Sequence, residues 1–301
     1  MKIERREFLR TAAAGAGGVL LGVRAGEAGA TPKHFDPGEV VPLNKTGIKL
    51  SRVGLGTGMK GGMRSSNQTK LGKAGFEALM KDAYDRGVRW FDLADMYGSH
   101  KLFATSLRGI PRDKYVLVSK IWHHPRGGLP ERERPDADAV VQRFLKELKT
   151  DYVDLVLLHC MWAAEWPTQF RKQMDILAKL KDKKLIRAHG VSCHSLSALT
   201  AAAKEPWVDS IHTRINPYGT KMDGPPSKVV PVLKLAHKNG KGVVGMKIIG
   251  EGAFRRSDEA RDNSVRYALT LGCVDTMVVG FEKTAEIDDL AARVRKVPRP
   301  A

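Results

Sequence analysis

The stretch GVRWFDLADMYG (residues 87–98) begins as a short apolar strand and ends as a polar loop. The strand closes on Asp92, and Tyr97 follows five residues later. A carboxylate at the end of a buried strand needs a partner, because an unpaired charge is costly to remove from water. That partner has to come from a neighbouring strand, so the repetition of strands along the chain decides how this stretch is interpreted.

A strand followed by a helix recurs eight times over about 250 of the 301 residues. The strands are short continuous apolar runs, such as YVLVSK (115–120) and VDLVLLH (153–159), which are typical of strands buried on both faces of a parallel sheet. VPLNKTGIKL (41–50) precedes them and predicts a β-hairpin. Since no linker interrupts the pattern, it favours one α/β domain, a (β/α)8 TIM barrel with an N-terminal β-hairpin.

The alternative fold is a doubly wound open sheet that binds a dinucleotide at a glycine-rich turn. Residues 56–61, GTGMKG, match the G-x-G-x-x-G spacing after a strand. The match does not open a helix, however, and the residue about twenty positions further on falls inside a predicted helix instead of at a strand end. A lone glycine pattern is weak evidence, so the barrel is the preferred prediction.

The first 30 residues have the three regions of an export signal. Arg5 and Arg6 lie in a basic segment, an apolar run of 13 residues extends from Thr11 to Val23, and AGA (28–30) forms a cleavage site. The apolar run is too short to span a bilayer, and the twin arginine resembles a Tat signal. We therefore predict a Tat-type signal peptide (1–30), a spacer (31–39) and the barrel domain (40–298). The protein would reach the periplasm, or be otherwise exported by the Tat machinery, without a stable membrane anchor.

Charge and cysteine content exclude several other classes of protein. The formal net charge is +18, but the basic residues are spread along the chain without a nucleic-acid-binding motif. This argues against nucleic acid as a partner and leaves anionic small molecules as ligands. Cys160, Cys193 and Cys273 are far apart in the sequence. Their spacing argues against a disulfide framework and against a structural zinc or iron–sulfur site.

Four polar residues lie at, or directly after, the ends of consecutive predicted barrel strands. Asp92 and Tyr97 belong to the second strand and its loop, Lys120 ends the third strand, and His159 ends the fourth. The carboxyl ends of barrel strands form the rim where barrel enzymes build their active sites. Because neighbouring strands are about 4.8 Å apart, Lys120 can pair with Asp92. The four residues form a predicted catalytic tetrad.

These residue types suit the reduction of a carbonyl group. A free tyrosine has a pKa of about 10, and a neighbouring ammonium lowers that pKa. We therefore expect Lys120, held by Asp92, to lower the pKa of Tyr97. The phenol would then protonate the carbonyl oxygen while hydride reaches the carbon, and His159 would orient that oxygen. Each residue taken alone also has a structural interpretation, as an ion pair, a loop aromatic or a core histidine.

The tetrad resembles the pattern of the aldo-keto reductases, and the resemblance covers roughly residues 40–295. That family has Asp, Tyr-Gly, Lys and His at these strand ends, and this chain has Asp92, Tyr97-Gly98, Lys120 and His159. GLGTG (54–58) also fits the family. The resemblance implies a Tat-exported bacterial member, an NAD(P)H-dependent oxidoreductase. It would reduce an aldehyde or ketone to an alcohol with Tyr97 as the general acid.

The resemblance also implies a nicotinamide cofactor bound over the barrel mouth. The positions carried over as cofactor contacts are Gly56, Thr57, Ser192, His212, Lys247 and Lys283. Two positions depart from the family's pattern: Cys193 replaces the usual asparagine after Ser192, and Ile215 replaces a tyrosine that stacks on the nicotinamide. MKIIGEG (246–252) is similar to a segment of one bacterial branch of the family.

The choice between NADPH and NADH follows less directly. The resemblance to the family favours NADPH as the cofactor. Glu286 stands where NADPH-selective members place an arginine on the 2′-phosphate, and its carboxylate would repel that group. Lys283, Arg255 and Arg256 can compensate, because cations bind phosphate well. We therefore expect NADPH, with NADH possible.

Trp122 and Trp162 follow Lys120 and His159 and predict an apolar or aromatic carbonyl substrate. Two other functions stay open. A non-catalytic cofactor-binding sensor or partner subunit would use the same barrel, and the altered ends of the fifth and sixth strands are compatible with it. A metal-dependent hydrolase would use the histidines of the rim, but it leaves Lys120 and Tyr97 unexplained, and we predict no metal site. Those histidines are His123, His124, His159 and His194.

Overall fold

The computed structural model describes residues 33–124 and 128–300. The predicted signal peptide (1–30) lies outside the described residues. Within the described ranges, no helix combines the length and the apolar character needed to span a bilayer.

The described part of the chain forms a two-stranded antiparallel sheet and a closed barrel of parallel strands. The hairpin strands are β1 (Val40–Pro42) and β2 (Lys49–Ser51). The barrel strands are β3 (Val53–Gly56), β4 (Trp90–Asp92), β5 (Val116–Ile121), β6 (Val153–Met161), β7 (Ile186–Cys193), β8 (Ser210–Arg214), β9 (Gly242–Met246) and β10 (Thr276–Gly280). They follow one another in chain order, and β10 pairs with β3. The predicted (β/α)8 barrel and hairpin are confirmed, and the doubly wound alternative is wrong because the sheet closes.

Helices follow each barrel strand. They are α1 (Gly72–Asp85), α2 (His100–Ser106), α3 (Ala137–Leu148), α4 (Trp166–Gln169), α5 (Arg171–Asp182), α6 (Leu196–Lys204), α7 (Pro226–Lys238), α8 (Asp258–Thr270) and α9 (Thr284–Lys296). In α3, Val140, Val141, Phe144 and Leu148 are buried, which is the helical spacing of one apolar face. The sequence pattern did not predict α4, because four residues are too few to show a helical period.

The hairpin closes the amino-terminal end of the barrel. Leu43, Ile48 and Leu50 are buried in one cluster with the barrel-lining residues Trp90 and Leu157. Each such aliphatic side chain contributes about 1.5–3 kcal/mol when fully buried. Because side chains fill this end, the opposite end of the barrel, at the carboxyl ends of the strands, is left to form a site.

Candidate active site

Asp92 and Lys120 lie on neighbouring strands, β4 and β5. Nζ of Lys120 donates to Oδ1 of Asp92 at 2.5 Å and to the carbonyl oxygen of Leu93 at 3.0 Å. Burial lowers the pKa of Lys120, against the attraction of Asp92. Burial raises the pKa of Asp92, against the attraction of Lys120. The ion pair expected from the strand ends is present, and each charge offsets the other's loss of water.

Tyr97 ends a short 3₁₀ helix, Asp95–Tyr97, that follows β4. Its hydroxyl oxygen lies 3.3 Å from Nε2 of His159, which belongs to β6. Nζ of Lys120 lies 4.9 Å from the centroid of the Tyr97 ring. The four residues of the predicted tetrad are therefore neighbours in space.

The structure corrects the expected direction of the Tyr97 pKa. Burial, with the negative charge of Asp92 adding to it, raises this pKa well above its usual value, whereas we expected Lys120 to lower it. Burial therefore decides the direction, and the phenol keeps its proton at neutral pH. Burial, with Lys120 adding to it, lowers the pKa of His159 well below the usual value. The pair therefore consists of a protonated phenol and a neutral imidazole.

Two glycines of the segment 56–61 make room for the Tyr97 ring. A Cβ atom on Gly58 would lie 2.2 Å from Cζ of Tyr97, and one on Gly61 would lie 2.6 Å from Cδ1. Both distances are far below van der Waals contact, so a side chain at either position would displace the ring. The glycine spacing is thus explained by the position of the phenol.

A groove begins at Asp92 and Tyr97 and extends past the ends of β9 and β10 to the start of α9. Lys247, Arg255 and Arg261 line it and offer cations to a diphosphate. Lys247 also donates to Glu251 at 2.7 Å, and Arg261 also pairs with Asp258. Acidic residues line its far end: Glu282, Glu286 and Asp289. An elongated groove with the phenol at one end and cations along it fits the nicotinamide dinucleotide that the sequence predicts.

The residues predicted to contact the cofactor fall into two groups. Gly56 and Lys247 line the groove. Thr57 is buried and donates to the carbonyl oxygen of Asp92 at 3.0 Å, and the hydroxyl of Ser192 accepts from the backbone N–H of Cys160 at 2.8 Å.

The other two predicted contacts, His212 and Lys283, also lie apart from the groove lining. His212 is fully buried, with Nδ1 3.7 Å from Oδ1 of Asp92. Lys283 is exposed just before α9. Cofactor binding by all six residues stays a prediction.

MKIIGEG (246–252) contributes much of the groove, including Met246, Ile248 and Gly252. Sequence reasoning carried over Lys247 alone and missed Met246, whose place as the last residue of β9 was the available signal. Ile215, in the position of the stacking tyrosine, is buried in the core outside the barrel. Glu286 accepts from the N–H groups of Glu282 at 2.7 Å and Lys283 at 3.4 Å, so its carboxylate also caps α9.

A cluster of aromatic and imidazole rings borders His159 on the side of β5 and β6. The ring of Trp122 lies 5.6 Å from that of His159 and 5.8 Å from that of Trp162, between centroids. Trp162 also lies 4.3 Å from His124 and is 45% exposed. The predicted substrate residues Trp122 and Trp162 therefore form an apolar wall next to the tetrad, in which Trp162 is exposed and Trp122 is buried.

The histidines proposed for a metal site do not converge. Within residues 33–124 and 128–300, no group of three or more His, Cys, Asp or Glu side chains is arranged to hold a metal ion. His124 Nε2 lies 2.9 Å from the carbonyl oxygen of His159, and His194 Nε2 lies 3.4 Å from Sγ of Cys160. Burial lowers the pKa of His194 to about 3 and that of His123 to about 4.

Two charged contacts near the site escaped the sequence analysis. Nε of Arg214, at the end of β8, donates to Oδ1 of Asp223 at 2.8 Å. Asp95, two residues before Tyr97, binds arginines from two other segments. The ion-pair partners are distant in sequence or lie in loops, where strand phasing carries no information.

The sequence is similar to a known protein family. The Aldo/keto reductase family matches residues 52–266. Aldo-keto reductase AFTS1 of Alternaria alternata is 26% identical over 255 residues, which are 74% of this chain and 68% of that protein. Methylglyoxal reductase YeaE of Escherichia coli is 31% identical over 148 residues, 48% of this chain and 46% of that protein. The matched segment thus spans about half to two thirds of these relatives' length.

Solved structures share the fold. The holo form of aldo-keto reductase AKR11C1 from Bacillus halodurans has a TM-score of 0.67 at 18% identity, covering 89% of this chain and 93% of that chain. The aldo/keto reductase from Klebsiella pneumoniae in complex with NADP and acetate has a TM-score of 0.59 at 21% identity, covering 85% and 90%. Since the family match extends over most of the barrel that carries Asp92, Tyr97, Lys120 and His159, the chain belongs to the aldo/keto reductase family of NAD(P)H-dependent oxidoreductases.

Proposed function

We propose that this protein reduces an aldehyde or ketone to an alcohol, with Tyr97 as the general acid. One observation carries the proposal: the Tyr97 hydroxyl lies 3.3 Å from His159 and beside the buried Lys120–Asp92 pair, at the end of the groove that fits a dinucleotide. NAD(P)H, when bound in that groove, would supply the hydride.

The side chains of the site handle the proton. Burial keeps Tyr97 protonated, so the phenol can donate its proton to the carbonyl oxygen as the carbonyl carbon is reduced. The phenolate that forms is stabilised by the ammonium of Lys120, which cannot leave because Asp92 and the Leu93 carbonyl hold it. The phenolate then regains a proton from water.

His159 orients the reacting oxygen in this proposal. Its Nε2 faces the Tyr97 hydroxyl, and its imidazole is neutral because burial lowers its pKa. A neutral imidazole can share a hydrogen bond with the phenol and the carbonyl oxygen without adding a second positive charge beside Lys120. The tetrad therefore carries one mobile proton, on Tyr97.

We propose NADPH as the cofactor, with NADH possible. Lys247, Arg255 and Arg261 would meet the diphosphate, and Arg255 could also meet a 2′-phosphate. The far end of the groove is acidic, with Glu282, Glu286 and Asp289, and these carboxylates would repel a 2′-phosphate and so favour NADH. A direct comparison of the two cofactors decides between them.

The function is tested by following oxidation of NADPH, and then of NADH, with a panel of aromatic and aliphatic aldehydes. We expect turnover that falls by about 10²–10⁴-fold in Tyr97→Phe, the range typical of a positioned general acid. Tyr84→Phe, a change of the same kind on α1, is the matched control and should keep full activity. Cofactor binding without turnover in the unchanged protein would contradict the proposal and favour the sensor.

We infer that aromatic carbonyl compounds are the preferred substrates, from the wall formed by Trp122 and Trp162. Truncating Trp162 to alanine is expected to raise KM for aromatic aldehydes about tenfold, because an aromatic pair contributes about 0.5–1.5 kcal/mol beyond the area it buries. KM for short aliphatic aldehydes should stay within about twofold. Tyr218→Ala is the control, since Tyr218 is 48% exposed and contacts Phe254 away from this wall. Equal increases in KM for aromatic and aliphatic aldehydes would contradict the inference.

We also propose export by the Tat route, on the basis of residues 1–30 alone. Fusing this segment to a fluorescent reporter that folds before export should place the reporter in the periplasm. Changing Arg5 and Arg6 to lysine together should retain it in the cytoplasm, whereas Lys2→Arg should not. A reporter that stays inside with the unchanged segment would rule the proposal out.

A further inference from the structure

A chain of buried and half-buried polar side chains runs along the outer face of the barrel, behind the tetrad. We call it the outer network. Its members are Asp95, Arg143, Glu147, His100 and Ser119. The network begins two residues before Tyr97 and ends at the residue that precedes Lys120. It therefore connects the backbone segments that carry the acid and the ammonium of the proposed reaction.

At the Tyr97 end, Asp95 opens the 3₁₀ helix that Tyr97 closes. Its carboxylate is buried and accepts two hydrogen bonds from the guanidinium of Arg143 on α3, at 3.0 Å and 2.6 Å. Nε of Arg64 donates to it at 3.1 Å. A fork of this kind fixes direction as well as distance, so the helix that ends in Tyr97 is tied to α3.

At the Lys120 end, Glu147 continues the network from α3. Its Oε1 accepts from Nη1 of Arg143 at 3.2 Å, and its Oε2 accepts from Nδ1 of His100 at 2.9 Å. Nε2 of His100 then lies 2.8 Å from the hydroxyl of Ser119, which is fully buried in β5. Each link is within hydrogen-bond distance, so the connection from Asp95 to Ser119 is continuous.

The network would destabilise the folded protein if any of its buried members lost its partner. Asp95, His100 and Ser119 are nearly or fully buried, and a buried polar group that loses its partner costs about 1–3 kcal/mol. Glu147 loses water as well, but His100 and Arg143 together bring its pKa down to about 2. The carboxylate of Glu147 is thus ionised and central, with His100 on one side and Arg143 on the other.

We propose that the outer network positions Tyr97 relative to Lys120, and that Glu147 and Asp95 are positioning residues for the reduction. The inference rests on the proposed function for its kinetic consequence. Neither residue lines the groove next to the reacting atoms; they act through the backbone on either side of the tetrad. A displacement of the phenol by about 1 Å can lower the rate by about 100-fold.

The test compares Glu147→Gln and Asp95→Asn with the unchanged full chain. Each substitution keeps the size of the side chain and removes the charge that holds the arginine. We expect kcat to fall between about tenfold and 100-fold, while the dissociation constant of NADPH stays within about twofold. Asp85→Asn is the matched control, because Asp85 pairs with Lys81 on the surface of α1, and it should change neither value.

A conservative change distinguishes positioning from simple support of the fold. Arg143→Lys keeps the charge but loses the fork, so its kcat should lie between that of the unchanged protein and that of Asp95→Asn. If Glu147→Gln and Asp95→Asn lower the melting temperature while kcat stays unchanged well below it, the network only anchors α3, and the proposal is overturned.

A second measurement keeps the inference separate from the proposed function. The tyrosines are replaced by fluorotyrosine, and the fluorine resonance of Tyr97 is identified by its loss in Tyr97→Phe. Positioning predicts that Glu147→Gln shifts or broadens this resonance, whether or not any aldehyde is reduced. An unmoved Tyr97 resonance in a folded variant overturns the inference, whereas a shifted resonance in a protein without turnover supports it and rejects only the reductase.

Discussion

Tyr97 shows how the surroundings of one residue set its chemistry. Burial raises its pKa although Lys120 lies near its ring, so the phenol is a proton donor at rest. The ammonium becomes effective when negative charge develops on the oxygen, which is the point at which stabilisation accelerates a reaction. The expectation from residue types was correct about the partners and wrong about the direction, because sequence does not show how much water reaches a side chain.

Gly58 offers a prediction at the same scale. Gly58→Ala should lower kcat by at least about tenfold, since a Cβ atom there would lie 2.2 Å from the Tyr97 ring and must displace it. The measurement is steady-state reduction of an aromatic aldehyde, together with the melting temperature. Gly62→Ala is a close control, because a Cβ atom on Gly62 meets no atom within 4 Å. Full activity in Gly58→Ala would show that the ring can shift without consequence.

At the scale of strands and helices, the sequence predicted most of the site because strands and helices alternate along the chain and the barrel strands all end at one rim. The last apolar residues before Asp92, Lys120 and His159 set the phase of β4, β5 and β6, and the closed barrel then brings those ends together. The same reasoning could not reach Asp95 or Arg214, because both bind partners in loops or on helices. Helix periodicity likewise predicted α3 and missed the four-residue α4.

Helices α8 and α9 provide a prediction about stability. Arg293 of α9 is nearly buried and donates to Asp262 at 2.6 Å and to Asp289 at 2.7 Å, and it also contacts Asp258. Arg293→Met should lower the free energy of unfolding by about 1.5–3 kcal/mol, the range for hydrogen bonds to charged groups. Urea unfolding measures the change.

Arg295→Met is the matched control on the same helix. Arg295 is exposed and pairs only with Asp36 at 3.2 Å, within the described residues, so its loss should cost less than about 1 kcal/mol. Added salt should reduce the difference between the two variants by weakening the interactions at the edge of the Arg293 cluster. Equal losses in both variants would show that the cluster adds nothing beyond a surface pair.

At the scale of the whole molecule, the histidines make the fold sensitive to acid. Burial, the largest cause in each case, lowers the pKa of His123 and His189 to about 4 and that of His194 to about 3. An unfolded histidine has a pKa of about 6.5, so between these values the unfolded chain binds more protons than the folded protein. The contribution of these histidines to the free energy of unfolding is therefore fully present above about pH 6.5, and it falls as the pH decreases toward 4.

His189 isolates one of these contributions, because it stacks on Trp207 at a centroid distance of 4.2 Å, outside the tetrad. Each imidazole kept neutral by the fold adds up to about 1.4 kcal/mol per pH unit to the slope of stability against pH. His189→Gln should reduce that slope by up to this amount between about pH 6 and 4.5, partly moderated by the nearby Asp209, which favours the charged form. Urea unfolding at a series of pH values measures the slope in both proteins. Protonation of carboxylates also contributes in this range, but it is common to both, so the difference belongs to His189. Parallel curves would mean that His189 becomes charged without unfolding the protein, with Asp209 supplying the compensation.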